Sequence, residues 1–229
     1  MMTELSVKLF VFAIFCQFPL LIIAIGQIQL YGSVIMIQKN ITILGSTGSV
    51  GTSTIDLIRA NPEHFAVTAL TGGKNVALLA EQARLLNPQF VAIADETHYA
   101  ALKDALANTP IRVGAGRSAI MEAASMPTDF TMAAIVGLAG LEPVMAAIGA
   151  AKIVAIANKE PLVAAGPLVL AAARKNNTQI LPVDSEHNAI FQVFENTNRA
   201  AIKKIILTAS GGPFRTWNKA AIENATIAQ

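Results

Sequence analysis

From Ile41 onward, short runs of β-branched and aromatic residues alternate with longer alanine-rich stretches in which apolar positions recur every three or four residues. That alternation predicts βαβ units and an α/β fold built on a mostly parallel sheet. Strands are expected near residues 41–44, 65–70, 90–94, 111–114, 130–136, 152–157, 179–183 and 202–209. Helices are expected over 50–60, 76–86, 97–107, 117–125, 141–150 and 161–175, with a shorter one after Ser185. Asn61-Pro62 stops the first helix, because the residue before proline avoids helical backbone angles. The stretch VGLAG, Val136 to Gly140, marks a change of role. Beyond it, polar and charged residues gather where apolar strands end, and open α/β sheets place their ligands there.

The region before Ile41 breaks this pattern, since no charge occurs between Lys8 and Lys39 and the intervening chain is mostly apolar. It contributes much of the mean hydropathy of +0.51. At roughly 1.5 Å per residue such a stretch is long enough for a bilayer core of about 30 Å. Gln17, Pro19, Gln27 and Gln29 interrupt it, however, and no small-x-small cleavage site follows as a signal peptide requires. The preferred reading takes Met36 as the initiator, with residues 1–35 outside the fold. The alternative is a membrane anchor confined to residues 9–31.

Charge and cysteine content narrow the function classes. The 17 basic and 15 acidic residues leave a net charge of +2 with no basic run to track a phosphate backbone, which argues against nucleic acid as a partner. Cys16 is the single cysteine, so neither an internal disulfide nor a thiolate metal cluster is available, and a reducing cytoplasm is expected. Any metal falls to oxygen ligands or to the three histidines.

In ILGSTGSVG, Gly45, Gly48 and Gly51 recur every third residue between an apolar strand and a helix. Small residues let backbone approach a pyrophosphate, and the amides and dipole at a helix start favour its charge. The spacing is G-x-x-G-x-x-G, a variant of the dinucleotide fingerprint, and a ligand-free turn is the competing view. At the end of the second expected strand, ALTGGKN carries no acid to accept from a ribose 2′-hydroxyl. Lys74 offers a cation to a 2′-phosphate instead, which favours NADP over NAD; alone, it would read as a solvated loop lysine.

LPVDSEHNAIFQ sets Asp184 and Glu186 two apart after an apolar run, on one face if the chain is extended. Two carboxylates suit Mg²⁺ or Mn²⁺, which prefer hard oxygen ligands. The alternative is that Asp184 or Ser185 caps a helix with Glu186 in its first turn. His187 could be a further ligand, although a lone histidine beside acids is more often a supporting or surface residue; His64 and His98 are assigned no role. IVAIANKEPLVAAG delivers Asn158, Lys159 and Glu160 to another strand end, where the lysine can neutralise an anionic substrate or a developing oxyanion; alone, the motif would read as a solvated turn. LTASGGPFR ends a strand at Ser210, Gly211 and Gly212, suited either to a phosphate or to a plain turn.

Taken together and in order, ILGSTGSVGTSTIDLI, GGKN, AIVGLAGLEP, ANKEPLVAAG, LPVDSEHNAIFQ and SGGPFR resemble the 1-deoxy-D-xylulose 5-phosphate reductoisomerase family from about residue 36 to 215. The resemblance implies a Rossmann-like, doubly wound, mostly parallel NADPH-binding domain over residues 36–183. The start of an α/β catalytic, metal-binding domain would occupy 184–229. It implies NADPH-dependent rearrangement and reduction of a ketose phosphate in non-mevalonate isoprenoid biosynthesis, with Mg²⁺ or Mn²⁺, in a cytoplasmic enzyme that is a homodimer at full length. By position, Thr47, Gly48, Ser49, Val50, Gly73, Lys74, Asn75, Asn158 and Glu160 would contact NADPH. Lys159, Ser185, Glu186 and Ser210 would contact substrate, with Lys159 and Glu186 catalytic and Asp184 and Glu186 on the metal. Pro161 replaces a serine usual in the family, and proline suits a helix start. The family's later loop with His and Trp, its further metal-binding Glu and its helical domain do not follow Arg215. An intact cofactor half with an incomplete catalytic half is therefore expected, binding NADPH weakly without turnover. The alternatives are a membrane-tethered NADPH-binding module and another NADP-dependent dehydrogenase.

Overall fold

The computed structural model describes residues 38–194, 197–207 and 212–229, so the readings of the apolar segment lie outside the described residues. The chain divides into two compact units, one ending at Ser185 and the other Glu186–Gln229.

The first unit is built on β1 (Lys39–Leu44), β2 (Phe65–Gly72), β3 (Phe90–Ile93), β4 (Arg112–Ala115), β5 (Thr128–Ala133), β6 (Ala151–Ile156) and β7 (Gln179–Pro182). All six neighbouring pairs are parallel, in the order β4-β3-β2-β1-β5-β6-β7. The connecting helices are α1 (Ser49–Ala60), α2 (Val76–Leu86), α3 (Tyr99–Ala105), α4 (Gly116–Ser125), α5 (Leu141–Ala150) and α6 (Glu160–Asn176). This is the expected Rossmann-like α/β architecture. Chain order runs one way from β1 to β4 and the other way from β5 to β7, so the reversal falls between β1 and β5. Open parallel sheets bind ligands beyond their strands' carboxyl ends at such a reversal.

Strand interiors are buried on both faces, which explains their near-continuous apolar runs. Ile41, Ile43, Leu70, Val91, Ile93 and Met132 form the main core with Leu79, Ala83 and Leu102 from the helices. A second cluster joins Leu44, Val154 and Ile156 to Val144, Ile148 and Val169.

Two helices differ from expectation. The segment expected as one helix over 97–107 is a 3₁₀ turn, Glu96–His98, followed by α3. Within α6 the backbone leaves helical angles at Ala165 (φ −143°, ψ 27°), just before Pro167. Proline lacks an amide and crowds the preceding turn, so the helix kinks there. Pro161 sits in the first turn of α6, where the missing amide costs nothing.

The second unit contains most of α7 (Ser185–Val193) and the short α8 (Lys219–Glu223). The strand expected over 202–209 does not form in its described part: residues 202–207 carry no regular structure, and Ile205, Ile206 and Leu207 are exposed. A strand needs a partner for its amides and carbonyls, and among the described residues this unit holds no other strand.

Candidate active site

The glycine turn lies at the carboxyl end of β1, at the reversal in strand order. Gly45 has φ +86°, and a Cβ there would stand 2.8 Å from the carbonyl oxygen of Ala134, just past β5. Only glycine gives both the left-handed backbone and the close approach. The Gly48 amide closes the turn on the Gly45 carbonyl at 3.2 Å. α1 then begins at Ser49 with Gly48 as its N-cap and no capping side chain. The first amides of a helix have no partner within it, so those of Ser49 and Val50 are presented at an accessible surface.

α1 leans against this turn closely. A Cβ on Gly51 would come within 2.3 Å of the Gly45 carbonyl oxygen and 2.5 Å of the Ser46 Cα. The helix is rich in Ser and Thr, which ordinarily favour caps and turns. Here their hydroxyls donate back into it, Ser53 to the Ser49 carbonyl at 3.0 Å and Thr54 to the Val50 carbonyl at 2.8 Å. Small side chains thereby bury without unpaired hydroxyls, and α1 can sit low on the sheet.

The end of β2 supports the turn from one side. Thr71 Oγ1 accepts from the Gly45 amide at 2.9 Å, and the Thr71 carbonyl accepts from the Ser46 amide at 2.7 Å. A Cβ on Gly72 would lie 3.3 Å from Thr47 Cγ2, which places the Gly73, Lys74 and Asn75 loop beside the turn. Lys74 is exposed. Asn75 caps α2, its Oδ1 accepting from the Leu78 amide at 3.1 Å. Just past β3, the Asp95 amide donates to the Gly73 carbonyl at 3.1 Å. Hydrogen bonds from the Thr97 hydroxyl and amide hold the Asp95 carboxyl below its ordinary value, with a smaller contribution from His98.

Beyond the reversal, Asn158 Nδ2 donates to the Ile135 carbonyl at 3.2 Å, tying the end of β6 to that of β5. Lys159 is the N-cap residue of α6 and Glu160 lies in its first turn. Of the expected site residues, Thr47, Gly48, Ser49, Val50, Gly73, Lys74, Asn75, Asn158, Lys159 and Glu160 thus stand along one edge of the sheet, because parallel strands all end on the same side.

Asp184 follows β7 on that edge. Strand structure stops at Pro182, and Ser185 and Glu186 are already in α7, with Glu186 in its first turn. Asp184 and Glu186 therefore do not lie two apart on an extended strand; the helical alternative describes the local backbone. Glu186 borders a cleft of about 370 Å³ within the second unit, lined also by Ile190, Val193, Ile205 and Leu207. Among the described residues no three His, Cys, Asp or Glu side chains group as a metal site. Ser210 and Gly211 lie outside the described residues.

One buried side chain at the turn was missed in the sequence. Gln82 of α2 is 4% exposed, and its Nε2 donates to the Ser46 carbonyl at 3.0 Å. Its Oε1 and the Ser46 hydroxyl are buried with no partner among the described residues. An unpaired buried polar group costs about 1–3 kcal/mol, so an apolar residue would pack there at less cost. A signal existed: Gln82 interrupts the stripe Leu79, Ala83 and Leu86, which recurs at helical spacing.

Residues 41–166 match the family model described as 1-deoxy-D-xylulose 5-phosphate reductoisomerase, and 180–229 match that of the C-terminal domain of the same family. A curated relative of that description from Rhodospirillum centenum is 56% identical over 188 residues, covering 82% of this chain and 47% of the relative. One from Rhodopseudomonas palustris strain TIE-1 is 53% identical over 191 residues, covering 83% and 47%. The chain thus spans about half the length of the curated relatives it matches. Among solved structures, the Zymomonas mobilis reductoisomerase in complex with NADPH superposes with a TM-score of 0.76 at 50% identity, over 83% of this chain and 50% of that one. A magnesium complex gives 0.73 at 38% identity, over 84% and 51%.

Proposed function

The chain belongs to the 1-deoxy-D-xylulose 5-phosphate reductoisomerase family, and from that membership we propose that it supplies the NADPH-binding part of an enzyme of this activity. The whole protein would rearrange 1-deoxy-D-xylulose 5-phosphate and reduce the product to 2-C-methyl-D-erythritol 4-phosphate, in non-mevalonate isoprenoid biosynthesis. The observation that carries the reading is the uncapped, close-approach turn from Gly45 to Val50 at the reversal in strand order.

A pyrophosphate fits this turn. Gly48 brings no capping oxygen to compete for the first amides of α1, and the helix dipole favours negative charge there. Thr47, Gly48, Ser49 and Val50 would hold it. Gly73, Lys74 and Asn75 would hold the adenosine 2′-phosphate, with the Lys74 ammonium as counter-charge. Asn158 and Glu160 would meet the nicotinamide end. NADPH supplies the hydride when bound.

Lys159 would neutralise charge developing on the substrate, while Ser185 and Ser210 orient it by hydrogen bonds. The carboxylates of Asp184 and Glu186 are hard donors fit for Mg²⁺ or Mn²⁺ but only part of a six-oxygen shell. Such an ion polarises substrate oxygens when bound. Residues 36–183 would form the cofactor domain and 184–229 the beginning of the catalytic one. The whole protein would be a cytoplasmic homodimer. No helix among the described residues is long and apolar enough to cross a membrane.

Fluorescence titration of the 229-residue chain with NADPH and NADH tests the cofactor reading. Saturable binding with a preference for NADPH is expected; equal affinity for the two would remove the role given to Lys74, and no binding of either would defeat the reading.

A further inference from the structure

We infer that Gln82, which makes none of the cofactor contacts proposed above, is a positioning residue that aims the phosphate turn at the dinucleotide; this rests on the NADPH reading. The peptide joining Ser46 to Thr47 is the point of leverage. In a trans peptide the carbonyl and the following N–H point in opposite directions. Gln82 Nε2 holds the Ser46 carbonyl on the α2 side at 3.0 Å, and the residue is 4% exposed. The Thr47 N–H is thereby turned away from Gln82.

The same residue is held from β2, where the Ser46 amide donates to the Thr71 carbonyl at 2.7 Å. Ser46 is thus gripped by a strand at its amide and by a helix at its carbonyl. Two observations set Gln82 apart from a core residue that happens to be polar. Its neighbours on the buried face of α2 are apolar, Leu79 and Ala83, and its own Oε1 is buried without a partner among the described residues. The amide therefore burdens the core, and what it does in return is fix one peptide of the turn.

The test compares Gln82→Met and Gln82→Glu with the unaltered 229-residue chain, reading NADPH and NADH dissociation constants on folded protein together with the melting temperature. Gln82→Met keeps length and loses the donor. It is expected to weaken NADPH and NADH alike by about tenfold, because Lys74 and the 2′-phosphate loop are untouched. In Gln82→Glu the ionised carboxyl cannot donate, whereas the protonated one can. Burial raises a carboxyl's pKa, so this variant should bind poorly at pH 8 and approach the unaltered chain as the pH falls to 6. A core residue of purely structural role would move the melting temperature and leave both the dissociation constants and their pH profile unchanged, and that result would overturn the inference. If Gln82→Met does not fold, the pH series of Gln82→Glu decides alone. Failure of the unaltered chain to bind either nucleotide would overturn the cofactor reading first, and this inference with it.

Discussion

Replacing Gly51 with alanine puts the packing of α1 on the phosphate turn under direct test. The added Cβ would stand 2.3 Å from the Gly45 carbonyl oxygen, 2.5 Å from the Ser46 Cα and 2.6 Å from the Ser46 carbonyl carbon. All three are backbone atoms, so no side-chain rotation relieves the clash. Ordinary contact begins near 3.4 Å, and the helix must retreat from the turn by about 1 Å to reach it. Overpacking of this kind costs about 1–3 kcal/mol, and the backbone origin of the clash puts Gly51→Ala toward the upper end. For a unit of this size that corresponds to a fall in melting temperature of roughly 5–10 °C. The same retreat carries the amides of Ser49 and Val50 away from the position proposed for the phosphate. Misplacement by about 1 Å can cost on the order of a hundredfold where geometry is demanding, and a loss of NADPH affinity of at least about tenfold is expected. Calorimetry and fluorescence titration measure the two effects. Gly149→Ala provides the control: that residue is exposed in α5, its added Cβ would meet no atom within 4 Å among the described residues beyond its own stretch of helix backbone, and the change should stabilise by about 0.5–1 kcal/mol. Unaltered stability and affinity in Gly51→Ala would refute the claim that α1 is seated against the turn through this glycine.

Two further outcomes are expected. Lys74→Ala should weaken NADPH while leaving NADH affinity unchanged, since the exposed ammonium is assigned only to the 2′-phosphate; titration of both nucleotides checks it, and a parallel loss would count against that assignment. Asp129 lies at the opposite edge of the sheet, where burial raises its carboxyl's pKa but hydrogen bonds from Lys152 and the Asn40 amide, with the charges of Lys152 and Lys39, bring it below its ordinary 3.8. Its stabilising contribution is therefore fully present above about pH 4 and lost as pH falls through the lowered value. Asp129→Asn should flatten the acid limb of the stability curve without altering nucleotide binding, as urea unfolding between pH 6 and 2.5 would show.

Much of the scaffold was legible because its signals are local. Alternating β-branched runs and helical stripes predicted each strand from β1 to β7, and the expected ranges of α2 and α5 coincide with those observed. The glycine turn announced itself by composition between a strand and a helix. The segment over 202–209 failed for the opposite reason: a β-prone run becomes a strand only when a partner edge reaches it, and partners are not written in the run itself. At Asp184 and Glu186 a two-residue spacing fits an extended chain and a helix start alike, and the structure takes the second, with α7 beginning at Ser185.

By itself, then, the sequence determined the alternation of elements, the glycine turn between strand and helix and the blocks that mark the family, all of which depend on neighbours a few residues apart. Tertiary structure alone decided the order β4-β3-β2-β1-β5-β6-β7, which sets the turn at the reversal and lines up residues from 47 to 160 along one edge. It also decided that Gln82, 36 residues from Ser46, holds that residue's carbonyl. Strand neighbours and the partner of a buried amide are chosen by which surfaces can close over one another, and that choice belongs to the whole chain.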